Sequence, residues 1–140
     1  RQLFSNSMED HQLRNAITSN FDTYRGCAIA IADIESEDLR IIASQAADEM
    51  LNISGIQSSY VLYRTGDIVN ISARSMGAMN VQLIMEMLGG GGHQTMAAAQ
   101  LSNISVSDAK VRLLQVIDQF YAQINAQEEA PQERPEEMQN

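Results

Sequence analysis

The residues best suited to chemistry are four consecutive glycines and the histidine after them, Gly89–Gly92 and His93, which hold half of the chain's eight glycines. Glycine loses the most backbone entropy on folding, so such a run indicates positive φ or a ligand that approaches the backbone closely. Successive N–H groups of such a loop can form a concave nest for an anion, and His93 adds a donor that is neutral or cationic near pH 7. The run predicts an anion-binding loop. The structural alternatives are a mobile linker and a helix C-cap at Gly89.

A second group of polar residues, Ser72, Arg74 and Ser75, lies at the end of a strand predicted over residues 68–74. Apolar and polar residues alternate along this segment, so Ser72 and Arg74 share its polar face. Arginine presents a fork of donors suited to phosphate, whereas the usual role of a lone arginine is a surface salt bridge. A short helix capped by Asn80 joins this strand to the glycine run. We therefore expect Arg74, the two serines and the glycine loop to form one anion pocket.

The hydrophobic periodicity of the chain predicts the elements that would position these residues. Four helices and four strands follow in an order typical of an α/β fold, with a small mixed β-sheet of about four to five strands flanked by helices. The predicted helices cover about 8–24, 36–52, 80–88 and 105–126, and the predicted strands cover 27–34, 58–64, 68–74 and 97–101. Ser36 and Asn80 are the predicted N-caps of the second and third helices.

Length and composition indicate one folded domain with two polar ends. The predicted boundaries are a flexible lead at 1–8, a domain at 9–126 and a disordered acidic tail at 127–140. The tail contains five Glu and two Pro but no Leu, Ile or Val, a composition that cannot bury enough apolar surface to fold.

The charge balance restricts the partners, because 18 acidic and nine basic residues leave a net charge of −9 at pH 7. Proteins that bind duplex DNA usually present a basic face, so a short nucleotide is the better expectation.

Cys27 is the one cysteine, and its apolar strand indicates a buried thiol in a reducing compartment. No apolar stretch approaches the about 18 residues of a membrane span. We expect no membrane contact by this chain and a cytoplasmic location, including the cytoplasmic part of a membrane-anchored protein.

The motifs together resemble the C-terminal DHH-associated domain of the DHH-family phosphodiesterases, and they are Ser72-x-Arg74-Ser75, Asn80-Val81, Gly90-Gly91-Gly92-His93 and Ala97-Ala98. That family includes the RecJ exonucleases, the nano-RNA phosphatases and the cyclic di-AMP phosphodiesterases. The resemblance covers about residues 9–125. Segments 71–75, 80–88 and 97–101 look most like the GdpP-type branch, which hydrolyses cyclic di-AMP.

The resemblance implies a substrate-binding role for residues 9–126 within a two-metal phosphodiesterase that converts cyclic di-AMP to linear pApA. Ser72, Arg74, Ser75 and the loop Gly90–Gly92 would contact phosphate or base. His93 would be an assisting contact to the scissile phosphate. The expected ligands are cyclic di-AMP, pApA or another short adenine nucleotide, and a second copy of the chain is a candidate partner.

The resemblance also implies that the metal site lies outside this chain. Two-metal catalysis uses ions about 3.5–4 Å apart that clamp the attacking and leaving oxygens. The chain has only His11 and His93 and lacks an Asp-His-His triplet. We therefore expect Mn²⁺ in a DHH domain that precedes this one in cis, and neither a metal, a cofactor nor activity in this chain alone.

Three other functions stay open from the sequence. A substrate domain of a nano-RNA or RecJ-like single-strand exonuclease would share the pocket. A basic groove would favour this alternative, and the net charge of −9 weighs against it. An RNA-binding module similar to the C-terminal domain of alanyl-tRNA synthetases would need a basic or aromatic face. A non-catalytic scaffold would use the glycines only as a turn.

Overall fold

The computed structural model describes residues 3–129 of the chain. These residues form four helices and six strands. The elements are α1 Leu3–Thr18, β1 Asp22–Tyr24, β2 Cys27–Ala32, α2 Leu39–Met50, β3 Ser58–Thr65, β4 Ile68–Ser75, α3 Val81–Glu86, β5 Gly91–Gly92, β6 Met96–Ser102 and α4 Val106–Glu129.

The six strands form one mixed sheet in the order β1-β2-β3-β4-β6-β5. Strands β2 and β3 run parallel, with α2 as their crossover, and the other neighbours are antiparallel. The predicted α/β class is confirmed, with six strands in place of four to five. The two missed strands are short. The sequence around β1 follows a helical apolar spacing, and the two glycines of β5 carry no side chain that could signal a strand.

Helices cover the two faces of the sheet unequally. On one face, Ile84 of α3 and Leu113 of α4 pack with apolar residues of β2, β3, β4 and β6, such as Ile71. On the other face, α1 and α2 pack on the alanines of β2 and on Val61 and Tyr63 of β3. Within residues 3–129, no helix covers β6 and β5 on this second face, so Met96 of β6 is 50% exposed there.

Of the two N-caps predicted from the sequence, the structure has one. Asn80 caps α3 as predicted, since its Oδ1 accepts hydrogen bonds from the Gln82 and Leu83 N–H groups at 3.0 and 3.3 Å. Ser36 is not the N-cap of α2, because Asp38 occupies that position. The Ser36 hydroxyl instead accepts a bond from the Asp38 N–H at 3.1 Å, in the turn before the helix.

The ends of the chain differ from the predicted bounds. Helix α1 begins at Leu3, within the predicted lead, and ends at Thr18 rather than near Tyr24. Helix α4 continues to Glu129, so residues 127–129 of the predicted tail are helical. Residues 1–2 and 130–140 lie outside the described part of the chain. None of the described helices is both long and apolar enough to span a bilayer.

Candidate functional site

A cleft of about 280 Å³ lies on the sheet face beside α2, over the part that no helix of residues 3–129 covers. Side chains of β4 and β6 form its floor, α2 and Tyr63 of β3 form one wall, and the end of the glycine run forms the opposite rim. The polar lining residues are Arg40, Ser44, Tyr63, Asn70, Ser72, Arg74, His93 and Gln100. No acidic side chain of the described residues lines this cleft, which favours an anionic ligand in a chain of net charge −9.

Arg74 is a buried arginine, only 8% exposed, that lies on the cleft floor near the C-terminal end of β4. Its Nη1 donates to the Ala73 carbonyl at 2.9 Å. Its Nε lies 3.0 Å from Asp48 Oδ1. The Nε–H is out of line for that bond and has no hydrogen-bond partner among the described residues. Asp48 balances part of its charge, but the Nε–H keeps an unused donor direction, so this guanidinium is a candidate to bind a ligand anion.

Ser72 lies between Arg74 and Asn70 on the same face of β4, as the alternation predicted. Its hydroxyl oxygen is 3.1 Å from that of Ser44 on α2. The pair joins the floor of the cleft to the α2 wall. Since a hydroxyl is both donor and acceptor, either serine can turn its proton toward a bound phosphate oxygen.

The four glycines have different structural roles. Gly89 has φ +83° and ends the helix. Its N–H donates to Glu86 O at 3.0 Å and the Gly90 N–H donates to Met85 O at 2.8 Å, which are the two bonds of a Schellman motif. This is the C-cap alternative, now observed, and it accounts for the first glycine alone.

Positions 90 and 92 require glycine because the backbone there lies very close to β6. A Cβ on Gly90 would lie 2.1 Å from the Ala98 carbonyl oxygen, and a Cβ on Gly92 would lie 2.5 Å from Ala97 Cα. Gly91 differs, because a Cβ there would meet nothing within 4 Å. Gly91 lines the cleft, so the space beside it is open to a ligand.

The successive N–H groups do not form the nest that the sequence predicted. The Gly89 and Gly90 N–H groups close the helix, and the His93 N–H donates to Met96 O at 2.6 Å. His93 and Met96 exchange both backbone bonds across the turn. Hydrogen-bonded pairs alternate with non-bonded pairs in an antiparallel ladder, so the Gly92 N–H points away from β6. The loop therefore offers one edge N–H rather than a ring of donors.

His93 and Ser75, two other predicted site residues, have different positions. The His93 side chain is exposed at the rim of the cleft. Ser75 lies on the opposite face of β4 from Arg74. Its hydroxyl accepts from the Gly77 N–H at 3.0 Å and lies 3.4 Å from Gln94 O. Ser75 therefore positions neighbouring loops and, like Gly90, does not line the cleft.

The contribution of α2 to the cleft was not predicted from the sequence. Arg40, Ser44 and Asp48 follow at intervals of four residues, so they lie along one stripe of the helix. Arg40 and Ser44 line the cleft, and Asp48 contacts Arg74 while its own side chain stays 60% exposed. The spacing was present in the sequence, but nothing there indicated which element would face this stripe.

Burial raises the pKa of Tyr63, so its hydroxyl is protonated and can donate.

A second cleft, of about 470 Å³, has the opposite character. It lies between α1 and the segment before α2 and is lined by Glu9, Asp10, Glu35, Glu37 and Asp38. Carboxylates repel phosphate, so this cleft is not a nucleotide site. Among residues 3–129, no group of three or more His, Cys, Asp or Glu side chains is arranged to hold a metal ion.

The sequence of this chain matches a family of known domains and two curated relatives. The family described as "DHHA1 domain" matches residues 25–123. Cyclic-di-AMP phosphodiesterase PdeA of Listeria monocytogenes is 42% identical over 110 residues, which cover 77% of this chain and 17% of PdeA. Cyclic-di-AMP phosphodiesterase GdpP of Bacillus subtilis is 48% identical over 98 residues, which cover 66% of this chain and 15% of GdpP. The chain thus spans less than a fifth of the length of these relatives.

A solved structure has the same fold at lower sequence identity. The crystal structure of an exopolyphosphatase-related protein from Bacteroides fragilis matches 83% of this chain and 36% of its own, with a TM-score of 0.70 and 17% identity. At that identity the likeness concerns the fold.

Proposed function

Because the chain belongs to the DHHA1 domain family, we propose that it is the substrate-binding domain of a two-metal DHH-family phosphodiesterase that hydrolyses cyclic di-AMP to pApA. The observation that carries the proposal is Arg74, a buried guanidinium with an unpartnered Nε–H on the floor of a cleft without acidic lining. The names of the 42–48% identical relatives support cyclic di-AMP as the ligand class.

In this proposal, each cleft residue has a defined task. Arg74 binds one phosphate through its fork of donors, and Ser72 donates its hydroxyl to the same group. Gly91 leaves room for the phosphate beside the backbone, and the Gly92 N–H is the edge donor. His93, at the exposed rim, is an assisting contact to the phosphate that reacts.

The Mn²⁺ ions of such an enzyme do not fit the described residues, because no suitable cluster of ligands is present among them. We propose that a DHH domain in cis holds them, and we assign no catalytic step to this chain. The surface that would meet such a domain is the open side of the cleft, where His93 and Met96 are exposed.

We expect the 140-residue chain supplied with Mn²⁺ to leave cyclic di-AMP and pApA intact. The reason is that a two-metal mechanism needs a bound pair of ions. Chromatography of the nucleotides after prolonged incubation measures this. Turnover by the pure chain that a chelator abolishes would contradict the proposed placement of the metal site.

The binding function itself is tested by calorimetric titration of the same chain. We expect cyclic di-AMP and pApA to bind, and a tRNA acceptor hairpin of about ten base pairs to bind far more weakly, because a duplex needs a basic face. A single-stranded adenine hexanucleotide without a terminal phosphate separates the proposal from the exonuclease alternative. A RecJ-like domain would bind this hexanucleotide more tightly than the dinucleotides. Preferential binding of the hairpin would instead favour the RNA-binding module.

A further inference from the structure

The cleft contains a second arginine, Arg40, on the far side of the Ser44–Ser72 pair from Arg74. We propose that Arg40 binds the second phosphate group of the dinucleotide, while Arg74 binds the first. This inference rests on the proposed function and adds a ligand-binding residue to the same site.

The positions of the two arginines follow from the elements that carry them. Arg40 precedes Asp48 by eight residues on α2, which is about 12 Å along the helix axis. Asp48 contacts Arg74, and Ser44 contacts Ser72. The α2 stripe therefore runs beside the polar face of β4. Arg74 lies at one end of the cleft, the serine pair lies in the middle, and Arg40 lies toward the Asn70 end.

Both arginines line the cleft, but their charges are balanced differently. Arg74 has Asp48 as an acidic neighbour. Arg40 is exposed and forms no salt bridge or side-chain hydrogen bond within residues 3–129, although it lies against the cleft. The net positive charge of the cleft is therefore concentrated at Arg40. Its charge is also felt at Tyr63, where it opposes the rise in the hydroxyl pKa that burial causes.

The groups between the two arginines suit the rest of a dinucleotide. Asn70 and Gln100 line the cleft with carboxamides that can both donate and accept hydrogen bonds, and the half-exposed Met96 supplies apolar surface. A single phosphate at Arg74 would leave Arg40 without an anion. A ligand with two phosphates can satisfy both arginines at once.

The experiment compares pApA with ApA, which differ only in the terminal phosphate. Calorimetric titrations use the 140-residue chain, Arg40→Gln and the matched control Arg112→Gln. Arg112 is an exposed arginine on α4, on the opposite side of the sheet. We expect the parent to bind pApA about tenfold more tightly than ApA. Arg40→Gln should lose about tenfold for pApA and less than twofold for ApA, while Arg112→Gln should match the parent for both ligands.

Two results would overturn the inference: unchanged pApA affinity in Arg40→Gln, or equal loss for pApA and ApA. Arg40→Lys should recover part of the preference, because it keeps the charge without the fork. If the parent binds neither dinucleotide, the proposed function fails as well. If the parent binds both dinucleotides and Arg40→Gln changes neither affinity, the proposed function stands and the second phosphate position does not.

Discussion

Arg74→Ala is expected to weaken the binding of pApA to the 140-residue chain by about ten- to a hundred-fold. A hydrogen bond to a charged group contributes about 1.5–3 kcal/mol, and each 1.4 kcal/mol changes the dissociation constant tenfold. The loss should fall on the ligand rather than on the fold. Removing the guanidinium leaves Asp48 without its neighbour, but the Asp48 side chain is 60% exposed and stays hydrated.

Calorimetric titration measures the dissociation constant, and circular dichroism confirms that the variant is folded. Arg112→Ala is the control for a general loss of positive charge, and Arg74→Lys should be intermediate because lysine lacks the planar fork. If Arg74→Ala binds pApA as the parent does, then Arg74 is a buried structural arginine and the cleft is not the phosphate site.

The second large effect is a contrast between adjacent glycines. Gly90→Ala should destabilise the chain by about 3 kcal/mol, since its Cβ would lie 2.1 Å from the Ala98 carbonyl oxygen, a backbone atom that cannot turn away. Gly91→Val should leave the stability nearly unchanged, because a Cβ there meets open space and a β-branched residue suits a strand. The valine should instead weaken pApA binding at least tenfold, by filling the space beside the phosphate.

Thermal unfolding and calorimetry of the two variants separate these roles. Gly90→Ala should lower the melting temperature by on the order of 10 °C, whereas Gly91→Val should melt within about 2 °C of the parent. Normal pApA binding by Gly91→Val would show that the glycine run is structural throughout.

The site could be predicted from the sequence wherever one element carries all the information. Alternation along β4 placed Ser72 and Arg74 on one face, and the structure confirms this arrangement. The same alternation places Ser75 on the other face, so its predicted place in the pocket, which rested on its proximity to Arg74 in the chain, was wrong. Arg74 lines one cleft with Gly91, Gly92 and His93 of the loop, while their role in binding an anion stays a prediction.

The glycine run shows where local reasoning stops. Positive φ, close approach and open space are three different reasons for glycine, and the sequence letters are identical for all of them. The end of α3 and the pairing of β5 with β6 together determine which N–H groups are already bonded and which Cβ positions are filled. The predicted nest failed for this reason: its donors were needed to end α3 and to close the turn before β6.

The sequence by itself determined the α/β class, the position of most elements, the cap at Asn80 and the resemblance to the DHH-associated domain. These depend on periodicity and on short motifs, which neighbouring residues encode. Only the tertiary structure decided that α2 contributes Arg40 and Ser44 to the cleft and places Asp48 beside Arg74. A helix encodes which of its residues share a face, but the partner of that face is set by the crossover between β2 and β3 and by the half of the sheet left uncovered.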